Sequence, residues 1–74
     1  MQIEIEIRNV YGENKAYPMN REAQGFAKIA GTKTLTRYAL RHILEMGLTI
    51  VEVDRHGRPS RSYRGNDVNL PVVA

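Results

Sequence analysis

The sequence predicts an α+β fold of order β-β-α-α-β-β, with two helices packed on a small, mostly antiparallel sheet. Three observations predict it. Ile3, Ile5 and Ile7 alternate with Glu4, Glu6 and Arg8, the period of a half-buried strand. From Asn20 to Gly47 the apolar residues recur instead at intervals of three and four, in two runs that meet at Gly31. β-Branched residues then return between Thr49 and Asp54, and a turn and a second extended segment follow. With 74 residues, of which 42% are hydrophobic and 26% charged, the chain reads as one globular domain, 1–74, rather than a disordered segment.

The first strand covers roughly residues 2–10. Tyr11-Gly12-Glu13-Asn14 reads as its turn, with Gly12 and Asn14 tolerant of positive φ, and Lys15 to Pro18 as a short return strand. Pro18 donates no backbone hydrogen bond, so it ends that strand or lies on an edge. Asn20 caps a helix from Arg21 to Ala30, with Ala23, Phe26, Ala27 and Ala30 on one face and Arg21, Gln24, Gly25 and Lys28 on the other. Gly25 either permits a close backbone contact or is simply tolerated. Gly31 ends the helix.

Thr36 or Thr34 caps the second helix, Arg37 to Met46. With Thr36 as cap, Leu35 and Leu40 occupy the two positions of a hydrophobic staple. Ala39, Leu40, Ile43 and Leu44 form its apolar face, Gly47 stops it, and Leu48 folds back on Ile43. The strand from Thr49 to Asp54 then turns through His56-Gly57. That register sets Glu52 opposite Arg61 and Ile50 opposite Tyr63, with Pro59 at a non-hydrogen-bonded position. Residues 66–74 read as an edge strand or a loose apolar tail.

Composition narrows the classes. There is no cysteine, so no disulfide or thiolate metal site is expected, and a reducing cytoplasm is the natural location. No run approaches the ~18 apolar residues of a membrane span, and an N-terminus that alternates isoleucine with glutamate is not a signal peptide. So small a core leaves a homodimer open. The formal net charge of +3 mildly favours acidic partners.

No enzyme site is apparent, and no metal or cofactor is expected. His42 and His56 lack ligand-spaced partners. Asp54, His56 and Ser60 sit around one tight hairpin, which a turn explains better than a triad. Gly31-Thr32-Lys33-Thr34 lacks the order of a phosphate loop, although a lysine beside a helix start suits an anion. Glu4 and Glu6 read as a solvated strand face.

Binding surfaces are better marked. Arg37, Tyr38, Arg41, His42 and Glu45 fall on the solvent face of the second helix, where Arg37 and Arg41 are a turn apart and repel slightly. That face is either ordinary solvated surface or a contact for phosphate, bases or an acidic protein. Arg55, Arg58, Arg61 and Arg64 recur every third residue with no acid between Asp54 and Asp67. Arginine makes bidentate contacts to phosphate, while the plain reading is a basic loop that keeps the chain soluble. In the hairpin Arg55 and Arg58 flank the tip and Arg61 lies on the other face. In an extended left-handed coil all four would line one side.

Two resemblances bear on these residues. Tyr17-Pro18-x-Asn20-x-x-Ala23-x-x-Phe26-Ala27-x-Ile29-Ala30-Gly31-Thr32-Lys33-Thr34-Leu35-Thr36, with Leu40, Ile43 and Gly47, resembles a group of short bacterial proteins from phages, plasmids and integrated elements. The likeness covers about half the chain and implies a mobile-element origin without implying an activity. The chain is also similar to winged helix–turn–helix proteins of the mercury-resistance-regulator and phage-excisionase kind. Ala27-x-x-x-Gly31 carries the turn, Thr36-Arg37-Tyr38 to Gly47-Leu48 the second helix, and Arg55 to Asp67-Val68 the wing. It departs in a connection about three residues longer, in Arg37 at a position often apolar, and in the N-terminal hairpin. This resemblance implies that Lys33, Arg37, Tyr38 and Arg41 face the major groove and that Arg55, Arg58 and Arg64 meet phosphate or minor groove.

The sequence therefore predicts a small, non-enzymatic, cytoplasmic protein of a bacterial mobile element that binds DNA or acts as an accessory regulator. Its rivals are a module that modulates a host protein, through Tyr38 or through a sheet edge near Pro71, and a structural subunit.

Overall fold

The strands and helices follow that order. The computed structural model describes residues 1–65 and 69–74. It contains β1 (Gln2–Val10), β2 (Glu13–Pro18), α1 (Arg21–Ala30), α2 (Arg37–Glu45), β3 (Thr49–Val53) and β4 (Pro59–Tyr63). The sheet is mixed, in order β2-β1-β3-β4. β1 pairs antiparallel with β2 and parallel with β3, and β3 pairs antiparallel with β4. The parallel pair follows from the helical hairpin. α1 leaves the end of the sheet where β1 begins and α2 returns to it, so β3 must start beside Gln2, and Gln2 pairs with Thr49.

The β1–β2 loop is tighter than the sequence suggests. Val10 pairs with Glu13, so β2 begins two residues earlier than Lys15 and Asn14 lies inside it, opposite Asn9. The positive φ values fall on Tyr11 (53°) and Gly12 (84°), the pair of left-handed residues that a two-residue hairpin loop uses to match strand twist. Tyrosine tolerates that conformation less well than asparagine or glycine.

Asn20 joins sheet to helix. Its Oδ1 accepts from the Ala23 N–H at 3.0 Å, capping α1, and from the Glu4 N–H at 3.2 Å. Its Nδ2 donates to the Gln2 carbonyl at 3.0 Å. Thr36, not Thr34, caps α2, with Oγ1 accepting from the Ala39 N–H at 3.2 Å. Leu35 and Leu40, flanking that cap as a staple, are both fully buried. α2 ends with Gly47 at φ 90° and Leu48 N–H returning to the Ile43 carbonyl at 3.3 Å.

Both helices lie on one face of the sheet, α1 over β1 and β2 and α2 over β3. Ile3, Ile5, Ala16, Ala23, Ala27, Leu35, Leu40, Ile43, Leu44, Ile50 and Tyr63 form the core between the layers. The face turned away from the helices is not bare. Val51, set between Glu4 and Ser62, and Val53 are both buried there. Glu6 is not the solvated side chain expected, because it is only 12% exposed and holds Arg8 at 2.7 Å. Arg8 in turn stacks 4.6 Å over the Tyr17 ring. Long side chains cover apolar surface with their stems and keep their charges wet.

Residues 69–74 form no strand. Asn66, Asp67 and Val68 lie outside the described residues, but Leu70 and Val73 are buried in the main core. Ala74 N–H donates to the Asn14 carbonyl at 2.9 Å, and Leu35 N–H donates to Ala16 on the same strand, also at 2.9 Å. The outer edge of β2 is thus occupied at two points, leaving β4 as the other edge of the sheet.

Gly25 makes no close contact, since a Cβ built there meets nothing within 4 Å and no positive φ requires glycine. Gly25→Ala is therefore expected to stabilise the fold by about 1 kcal/mol through helix propensity alone, read as a rise in urea midpoint. A fall would mean that α1 meets something at Gly25.

Candidate basic interface and an apolar groove

The arginine hairpin is built around Asp54. Its Oδ1 accepts from the backbone N–H of His56 at 2.8 Å and of Arg58 at 3.0 Å. The Arg58 N–H, helped by that of His56 and the nearby His56 and Arg55 charges, holds the Asp54 carboxyl below its ordinary value against a smaller opposing effect of desolvation. The turn closes from Asp54 to Gly57, with Gly57 N–H donating to the Asp54 carbonyl at 2.9 Å. Arg55 and His56 are therefore its central residues. The expected two-residue His56-Gly57 turn is replaced by a three-residue loop in which Gly57, at φ 81°, takes the left-handed position after a type I turn. The extra residue is absorbed by a bulge. Val53 pairs with Pro59 but Glu52 with Arg61, which leaves Ser60 over, its Oγ donating to the Glu52 carbonyl at 3.1 Å. The expected pairings Glu52–Arg61 and Ile50–Tyr63 both hold. Asp54 and Ser60 are thus engaged in shaping the turn.

The arginines belong to the β3–β4 hairpin rather than to an extended left-handed coil, with Arg61 inside β4, Arg58 and Arg64 one residue beyond its two ends and Arg55 in the turn. Arg58, Arg61 and Arg64 follow the β4 edge, and a rise of about 3.3 Å per residue sets them roughly 10 Å apart. Arg55 stands at the hairpin tip beside Arg58. All four are exposed. Arg61 opposite Glu52 belongs to the helix-side face, because Ile50 and Tyr63 on the same face are core residues.

α2 splits the other predicted residues between two flanks. α1 lies over β1 and β2, so the flank of α2 turned away from α1 is the one nearer β4. Arg37 and Arg41, a turn apart, occupy that flank. Tyr38 does not join them. Its ring packs edge-on against His42 at 4.3 Å between centroids and lines a groove on the side of α1. Lys33 is exposed in the connection before α2, at the end of the helices away from Gln2. Arg37 and Arg41 thus share the flank of α2 away from α1, and Arg55, Arg58, Arg61 and Arg64 the β3–β4 hairpin, while Tyr38 lines the groove and Lys33 lies in the connection. Lys33, Arg37, Arg55, Arg58 and Arg64 form no ion pair with another described residue. The helix–helix connection, Gly31–Thr36, has its Leu35 paired to β2, which accounts for its length.

The groove was not anticipated. Phe26, Ile29 and Ala30 of α1 and Tyr38, Ala39, Ile43 and Met46 of the second helix and its cap enclose it. Ile29 is 84%, Tyr38 76% and Met46 64% exposed. The sequence signal was Ile29, an isoleucine outside the Ala23–Phe26–Ala27–Ala30 face.

Beneath the arginine edge, the Tyr63 hydroxyl donates to Glu52 Oε1 at 3.0 Å. Burial raises the Tyr63 pKa, the Glu52 carboxylate adds to the rise, and Arg61 opposes it. A raised tyrosine pKa means that the folded form keeps its proton more tightly than the unfolded chain. This contribution to stability is complete below about pH 10 and is lost as pH rises through the folded value. Tyr63→Phe is expected to remove that alkaline loss, as followed by denaturation at neutral and at high pH. An identical alkaline profile in the variant would place the titrating group elsewhere.

Among the described residues no cluster of histidine and carboxylate side chains could hold a metal ion, and no helix is long and apolar enough to cross a membrane. No protein-family model, curated protein or solved structure matches the chain.

Proposed function

We propose that the protein binds the phosphate backbone of DNA, as a small non-enzymatic accessory or regulatory factor in a bacterial cytoplasm. The supporting observation is that the sheet edge not occupied by Leu35 and Ala74 carries Arg58, Arg61 and Arg64, with Arg55 at its tip and Arg37 and Arg41 on the nearer flank of α2. Guanidinium groups spaced along an exposed edge suit a polyanion, because each presents a fixed fork of donors and a permanent charge to phosphate. The resemblance to phage- and plasmid-borne proteins supplies a setting, a mobile element, but no activity.

Such contacts position a protein on a duplex without reading its sequence. Affinity should therefore fall steeply with salt, by about 0.9 in log–log slope for each phosphate neutralised. Fluorescence anisotropy of a labelled duplex, titrated at several salt concentrations, tests this. Absence of binding at low salt would end the proposal.

A further inference from the structure

We infer that the groove between α1 and α2 is the seat of a second copy of this chain, joined across a two-fold axis. The inference goes beyond the DNA reading and stands without it, because it uses the opposite flank of α2. Three of the chain's large exposed hydrophobic side chains, Ile29, Tyr38 and Met46, come from separate turns of two helices and border this one groove. Apolar surface gathered in this way marks a contact site.

What selects a second copy is self-complementarity. Ile29 projects from α1, while the small side chains of Ala30 and Ala39 leave a hollow between the helices. A two-fold contact requires one surface to carry both a projection and its receptor, so that residue i meets j and j meets i.

The charges bordering the groove agree. Glu45 Oε1 lies 3.8 Å from Nδ1 of His42, a lining residue. Glu22 stands one turn before Phe26 on the groove side of α1. Both acids lie at the Gln2 end of the sheet, because Asn20 ties the start of α1 to Gln2 and α2 leads into Thr49, which pairs with Gln2. Lys33, next to the lining residue Thr32, lies at the far end. A two-fold rotation across the groove sets the acidic end of each protomer over the lysine end of the other. A parallel arrangement would oppose acid to acid.

Sedimentation equilibrium of the full chain, from micromolar to millimolar concentration, tests the inference. The wild type is expected to show a reversible monomer–dimer equilibrium. Ile29→Glu, which acts twice in a two-fold contact, should raise the dissociation constant by about a hundredfold and leave the melting curve intact because Ile29 is exposed. Lys33→Glu should weaken the dimer, and combining it with Glu45→Lys should restore it. A monomer at every concentration overturns the inference, as does a dimer indifferent to Ile29→Glu. Failure of the double variant to recover overturns the antiparallel arrangement. Duplex binding by the Ile29→Glu monomer reports on the basic edge separately, so failure of one reading does not obscure the other.

Discussion

Leu35→Ala is expected to leave the protein largely unfolded or close to its melting point at ambient temperature. Leu35 lies in a connection, yet it is fully buried and serves two purposes. Its side chain reaches the core beside Leu40, fixing the angle at which the chain enters α2. Its backbone N–H occupies the outer edge of β2 at the Ala16 carbonyl. Truncating a buried leucine costs about 2–5 kcal/mol, more where the surroundings cannot collapse. A domain of this size rarely holds more than about 3–5 kcal/mol in total. Here the walls are β2 and the start of α2, both fixed by backbone hydrogen bonds, so the upper part of the range applies. Leu35→Met, which conserves volume, should cost less than about 1.5 kcal/mol. Urea denaturation followed by circular dichroism measures both. A midpoint for the alanine variant within error of the wild type would contradict the burial of Leu35.

The second large effect is on binding. Arg58→Ala combined with Arg64→Ala removes two side chains at opposite ends of the β4 edge. If each neutralises one phosphate, the salt slope should become shallower by about 1.8, and affinity at low salt should drop on the order of tenfold or more. Both side chains are exposed, so the melting temperature should scarcely move. The matched control is Arg21→Ala with Lys28→Ala, which removes the same charge from the flank of α1 away from both β4 and the groove. If the two double variants weaken binding equally, net charge rather than the β4 edge is responsible. If the Arg58 and Arg64 variant binds as the wild type does, the interface lies elsewhere.

Much of the fold was legible because local chemistry and long-range packing agree in this chain. Asn20, Gly31, Thr36 and Gly47 bound the helices as their cap preferences dictate, whereas the pairing of Glu52 with Arg61, expected from a two-residue His56-Gly57 turn, holds because the bulge at Ser60 offsets the longer loop. Legibility ended where geometry depends on turn closure. Whether His56-Gly57 or Arg55-His56 sits at the centre depends on the Asp54 carboxylate capturing two N–H groups, and a displaced centre then requires the bulge at Ser60. The parallel pairing of β1 with β3 and the capture of the tail are tertiary facts with no local signature. Among candidate site residues, the arginines of the hairpin could be read directly. The separation of Tyr38 from Arg37 and Arg41 could not, because a helical wheel shows which residues face solvent but not which neighbouring helix borders each flank.

The parallel β1–β3 pair also governs how the molecule must assemble. Each hairpin joins neighbours in sequence and can form within microseconds, as can the two capped helices. The central seam unites Gln2 with Thr49, so it cannot close until everything between has been brought into place. An order of events follows, with two preformed hairpins meeting late across a nucleus that includes the helices. Changes at the Tyr11-Gly12 loop should then slow refolding, whereas substitutions at the late-closing seam, such as Ile3→Val or Ile50→Val, should act mainly on the unfolding rate.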